Sequence, residues 1–242
     1  MSAFLIALQF LTRLPISLPG MPAPAAVGRS LLSYPLVGLL LGAVLLSAQW
    51  VLQGQAPALQ AALLLILWVG LTGGLHLDGL ADSADAWLGG FGDRERTLTI
   101  MKDPRSGPIA VVTLVLVLLL KFCALLALVQ SGQTLGLLLA PVLGRAAMLG
   151  LFLCTPYVRA GGLGQALAQH LPRGAAKGVL VATALVCVLV AGWNAVVALA
   201  VALVVFAGLR TVMLKRLGGT TGDTAGALLE LLEVAVLVGL AL

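Results

Sequence analysis

Of the 242 residues 61% are hydrophobic and only 10% charged, and the mean hydropathy is +1.13. Soluble domains carry about a quarter charged residues, so a soluble globular fold is excluded. The formal charge of +5 is small and spread over loops, which excludes a nucleic-acid surface and instead suggests a membrane topology signal.

Repeated apolar runs of about 18 residues or more predict an all-α, polytopic integral membrane helical bundle, a single domain over residues 1–242. About six to seven transmembrane helices are expected, plus an N-terminal interfacial helix. Residues 4–14 are too short to cross a bilayer. Gln9, Thr12 and Arg13 put polar groups on one face of that helix, the pattern of a segment lying in the interface. The N-terminus has no basic region or small-residue cleavage site, so no cleaved leader is expected. Pro15, Pro19, Gly20, Pro22 and Pro24 predict a non-helical connection. Spans then read as 31–52, 57–76, 108–129, 134–154, 178–192, 194–213 and 223–242, the last carrying two carboxylates. Cys123, Cys154 and Cys187 lie in separate apolar runs without metal-ligand spacing and read as buried small side chains.

Loops alternate in charge. Those near Gln55, Gln133 and Asn194 carry none. Those holding Arg94 to Arg105, Arg159 to Lys177 and Arg210 to Arg216 are basic. Basic short loops stay cytoplasmic, which places residues 73–107 inside the cell and Leu242 outside.

That segment, GGLHLDGLADSADAWLGGFGDRERTLTIMKDPRSG, holds six of the nine acidic residues. Asp78, Asp82 and Asp85 fall at i, i+4 and i+7, one stripe with neighbours roughly 6 Å apart. Two ionised carboxylates at that distance repel by about 3 kcal/mol at an effective dielectric of about 20. Such a stripe protonates, splays or binds a cation, and oxygen ligands select a hard ion, Mg²⁺ above all. The alternative is a solvated first turn with Asp78 as cap. Gly79 leaves the backbone bare for an approaching phosphate. His76 reads equally as a structural hydrogen-bonding residue or a functional one. Asp93 reads as a helix cap and Glu95 as a first-turn acid. Lys102, Asp103 and Arg105 set two cations around an anion before the next span, a pattern suited to phosphate beside a metal.

Two longer stretches, GGLHLDGLADSADA and GDRERTLTIMKDPRSGPIAV, resemble the cobalamin synthase (adenosylcobinamide-GDP ribazoletransferase) family. QFLTRLPI near the N-terminus and GGTTGDTAGALLELLE near the C-terminus extend the resemblance over nearly the whole chain. One departure is Pro104, where many members carry Ser. The resemblance implies a Mg²⁺-dependent multi-pass enzyme of the bacterial cytoplasmic (inner) membrane, its active site facing the cytoplasm. The reaction implied joins adenosylcobinamide-GDP to α-ribazole or its 5′-phosphate and releases GMP. Asp78, Asp82, Asp85 and Asp103 are the expected metal ligands, and Asp82, Asp85 and His76 the expected catalytic groups. Lys102, Arg105, Gly79 and Asp223 are the expected phosphate-binding positions.

Outside the stretch, Lys121, Arg145, Glu230 and Glu233 lie within spans, either paired with one another or lining a substrate cavity. Asp223 reads as a first-turn acid or as a second metal or phosphate group. His170 to Arg173 form a loop on the same face, a candidate nucleotide contact. Three rival readings fit less well. A CDP-alcohol phosphotransferase wants Arg where Asp82 stands, an intramembrane prenyltransferase wants a second aspartate-rich motif, and a cation transporter wants internal repeats.

Overall fold

The computed structural model describes residues 2–162 and 164–242, and those residues form helices and turns without a strand. The short α1 (Ala3–Leu11) buries Ala7, Leu8 and Leu11 and ends earlier than the polar stripe predicts. Thr12 lies just beyond it, buried, its hydroxyl on the Leu8 carbonyl at 2.7 Å. The proline-rich connection becomes helical at Pro24, in α2 (Pro24–Ser30), and a single 3₁₀ turn joins it to α3 (Tyr34–Val51). Proline at the first position of a helix is favourable because its missing N–H has no intrahelical partner there.

The next span ends four residues short of its predicted limit at residue 76. α4 (Pro57–Thr72) stops at Gly73 and Gly74, whose φ values of 62° and 69° glycine adopts without penalty. α5 (Leu75–Gly89) leaves it at 87°. After the short α6 (Arg94–Ile100) come α7 (Pro108–Ser131) and α8 (Gly136–Cys154), close to their predicted limits. A single turn of helix, α9 (Gly164–Gln169), precedes α10 (Arg173–Leu217) and α11 (Gly222–Ala241).

α10 is two antiparallel arms. At Gly192 the backbone turns to φ 53° and ψ −127°. Arg173 donates to the Leu153 carbonyl at 2.6 Å and Arg210 to the Cys154 carbonyl at 2.7 Å, neighbouring groups at the end of α8. A straight helix would hold those two arginines about 55 Å apart. The chain reverses where the sequence separates the fifth and sixth spans.

α8 and α11 form the centre of the bundle, each with 72% of its apolar window buried, whereas α7 and α10 bury 22% and present Leu and Val outward. α3 approaches α8 through Gly38 and Gly42, where an added Cβ would press on the backbone of Pro141 and Leu138. This is the small-residue spacing that lets membrane helices come close. At mid-bundle Lys121 donates to Glu230 at 3.1 Å and Glu233 at 2.7 Å, and Arg145 pairs with the other Glu233 oxygen. Lys121 also sits 4.0 Å from the Trp68 ring centroid. The four charges cancel, and no side chain among them is more than 5% exposed. Of the two readings open from sequence, the structure shows the ion pairs. The cysteines are all free; Cys187 is buried as expected, while Cys123 and Cys154 lie at the protein surface, which in a bundle of this kind includes the lipid face.

Candidate active site

α5 packs along the first turns of α11 and α7. Near its start His76 packs on Gly226 of α11, and Gly79 packs on the Asp223 backbone, where an added Cβ would lie 2.8 Å from the carbonyl oxygen. Farther along, Asp85 accepts from the Gly107 N–H at 2.5 Å and the Ala110 N–H at 2.9 Å. Both bonds satisfy donors in the first turn of α7 that no helical carbonyl can reach. The aspartate stripe is therefore divided: Asp85 holds α7, and the bareness of Gly79 is what lets α5 reach α11.

Asp78 and Gly79 face a cavity of about 450 Å³, walled also by His76, Lys102, Arg159 and Asp223, with Phe10, Met148, Phe152 and Leu167 on the apolar side. Asp223 stands in the first turn of α11, behind a capping box made by Thr221 and Thr224. Its carboxylate accepts from Arg159 at 2.6 Å. Asp82, one turn beyond Asp78, lies in the field of both acids. Its own burial, then Asp78 and then Asp223 push its carboxyl up to about 6, against the opposing pull of Arg159. His76 is buried, and neither ring nitrogen has a hydrogen-bond partner among the described residues.

The segment after α6 divides as well. Lys102 reaches the cavity wall. Arg105 instead forms a two-point pair with Asp103, at 2.9 and 2.8 Å, with its side chain 86% exposed. The Arg105 hydrogen bonds hold the Asp103 carboxyl down at about 2. Neither residue is among those lining the cavity. As read from sequence, Asp93 caps α6, accepting from the Arg96 backbone N–H at 2.6 Å, and Glu95 stands in its first turn, where it also pairs with Arg94. His170 packs its backbone against Gly28 of α2.

Two residues that the sequence did not single out complete the site. Arg159 and Tyr157 sit in the loop after α8, which is tied to the loop before α11 by Thr220 N–H to Pro156 at 2.8 Å and Val158 N–H to Thr220 at 2.9 Å. In the sequence Arg159 is one basic loop residue among several, with nothing local to set it apart.

The acids fit a hard divalent ion in one respect: Asp78 and Asp223 line one end of the cavity, and Asp82, one turn beyond Asp78, is raised first by burial and then by those two. Among the described residues no three acid, histidine or cysteine side chains close into a complete metal site. Mg²⁺ is commonly held by only a few carboxylates, with water and substrate phosphate completing its shell.

No solved structure matches the chain. The family profile described as cobalamin-5-phosphate synthase matches residues 3–241. An adenosylcobinamide-GDP ribazoletransferase of Pseudomonas putida is 72% identical over 242 residues, covering 100% of this chain and 99% of the relative. Enzymes of the same name from Pseudomonas savastanoi and Pseudomonas fluorescens are 71% identical over 242 residues and 70% identical over 237 residues, covering 100% of both chains and 98% of both chains respectively. Matched from end to end in this way, the chain belongs to the cobalamin-5-phosphate synthase family, enzymes that transfer a group in cobalamin synthesis.

Proposed function

We propose that the protein joins adenosylcobinamide-GDP to α-ribazole or its 5′-phosphate, releasing GMP, with Mg²⁺ at the acidic end of the cavity. The observation that carries this reading is the meeting of Asp78 from α5 and Asp223 from α11 with Lys102 and Arg159 around one cavity. Carboxylates and fixed cations at one place suit a metal-bound diphosphate and little else. The basic loops at this end favour the cytoplasmic face of a bacterial inner membrane.

In this reaction a ribose hydroxyl oxygen attacks the cobinamide-linked phosphorus. The bond from that phosphorus to the bridging oxygen breaks, and GMP departs with the bridging oxygen. Asp78, Asp82 and Asp223 would hold the metal, which when bound neutralises phosphoryl oxygens and fixes their geometry. Lys102 and Arg159 take up charge on the diphosphate, and the apolar wall of Phe10, Met148 and Phe152 excludes water beside it. A carboxylate at the acidic end, Asp78 or Asp82, accepts the hydroxyl proton, since both ring nitrogens of His76 are buried within the protein.

Full-length protein purified in detergent should release GMP from adenosylcobinamide-GDP when the ribazole acceptor and Mg²⁺ are both supplied. Failure to release GMP under those conditions, from protein that stays folded, overturns the reading.

A further inference from the structure

We propose that a second cavity, beside the first, seats the acceptor nucleoside in its 5′-phosphorylated form; this rests on the reaction proposed above. The second cavity holds about 560 Å³ and shares Phe152, Tyr157, Arg159 and Ala160 with the first as a common wall. The second volume is that of a site for one small ligand, about 300–1,000 Å³. A transfer between two substrates needs two seats that meet at the reacting atoms.

The shared wall is well fixed. The Tyr157 ring stacks on Phe152 with centroids 6.0 Å apart, and the Thr220 bonds on either side of Tyr157 pin its backbone to the loop before α11. Arg159 lines both cavities and reaches the Asp223 carboxylate in the first. A hydroxyl presented over this wall faces the diphosphate.

The charges of the two cavities differ in kind. The first mixes Asp78 and Asp223 with cations, which suits an anion that arrives with a metal. The second is lined by Arg159 and Arg173, with Gln165 and Gln169, and by no carboxylate among its described residues. An anion without a metal suits it, and arginine matches phosphate geometry. The aromatic wall and the two amides suit a nucleoside base.

Cys154 lines the second cavity and lies at the surface, so it reports occupancy in the unaltered protein. Addition of the 5′-phosphorylated acceptor alone should slow maleimide alkylation of Cys154 several-fold, read by mass spectrometry of its peptide. No slowing at saturating acceptor overturns the proposal. Ala168→Phe, which fills only the second cavity, should raise the acceptor's KM about tenfold and leave the KM for the GDP-linked substrate unchanged. A rise in the GDP-linked substrate's KM, or no change in either, overturns it. Arg173→Ala should remove about tenfold of any preference for the phosphorylated over the unphosphorylated acceptor, and an unchanged preference overturns the phosphate assignment. Loss of GMP release in the wild type would instead sink the parent reaction, so the two failures are distinct.

Discussion

Arg159 and Asp223 are 64 residues apart in the chain, yet the guanidinium donates to the carboxylate at 2.6 Å. This contact closes the cavity by joining the loop after α8 to the first turn of α11. The pair is partly exposed, so its contribution to stability is about 1 kcal/mol or less. Its importance lies in placement: Arg159 sits between the acids and both cavities. Arg159→Ala should therefore lower kcat/KM about 100-fold while leaving the folded yield in detergent near that of the wild type. Arg159→Lys should recover part of the loss. Full activity in Arg159→Ala would reduce the pair to a brace between two loops.

Lys102 and Arg105, three residues apart, have parted company in the fold. The sequence favoured Arg105 for bidentate phosphate contact, but its fork is already matched to Asp103. Lys102 is the cation in the cavity wall. Lys102→Ala should raise the KM for the GDP-linked substrate about tenfold, with Arg105→Ala within about twofold of wild type. Steady-state kinetics on the two variants side by side decide this, and the reverse order would show that the loop moves to bring Arg105 onto the substrate.

Asp85 carries a structural duty that its place in the stripe conceals. Removing its carboxylate leaves the Gly107 and Ala110 N–H groups at the start of α7 without acceptors. Asp85→Ala should cost about 1–2 kcal/mol, visible as a lower thermal midpoint in detergent, with Asp85→Asn in between. An unchanged midpoint with abolished turnover would return Asp85 to the chemistry.

The membrane charges give a sharper stability test. Glu233 faces Lys121 with one oxygen and Arg145 with the other. Glu233→Gln leaves two buried cations with Glu230 as the remaining acid, a loss of about 3–5 kcal/mol. Folded yield and thermal midpoint should fall together. Glu233→Gln combined with Lys121→Met restores the charge balance and should recover part of the loss. A double variant no better than the single would show that shape, not charge, holds these helices.

Much of the fold was legible because apolar length and basic loops are one-dimensional signals. Residues 108–131 and 136–154 differ little from the predicted spans, and even the reversal at Gly192 was legible as a gap between two runs. The break at Gly73 and Gly74 was not, because Leu75 and Leu77 carry the apolar run past the glycines and only their positive φ ends α4 there. In the site, Asp78 was legible from its stripe and Asp223 from its place at a helix start. Arg159 was not, since its meaning comes from Asp223, far away in sequence. The stripe also misleads at Asp85, because equal spacing on one helix face cannot say which neighbour each carboxylate meets.

Asp82 offers the test of the metal itself. Its carboxyl is raised from an ordinary 3.8 to about 6, first by burial and then by the neighbouring acids. Between about pH 4 and pH 6 the folded protein holds a proton that the unfolded chain has released. Stability from this group therefore falls as pH rises through that window, and the full penalty is present at pH 7. The group is only partly buried, so screening limits the penalty to about 1 kcal/mol. In metal-free protein Asp82→Asn should thus be the more stable form at pH 7, by a few degrees in thermal midpoint, and the advantage should vanish near pH 4. Mg²⁺ should reverse the order at pH 7, raising the wild-type midpoint and leaving the variant nearly unmoved, because binding to the folded state alone stabilises it. Melting curves of both proteins across pH 4–7, with Mg²⁺ and with chelator, measure all of this. Equal Mg²⁺ stabilisation in the two proteins would mean that the ion binds elsewhere and that Asp82 is strained for some other reason.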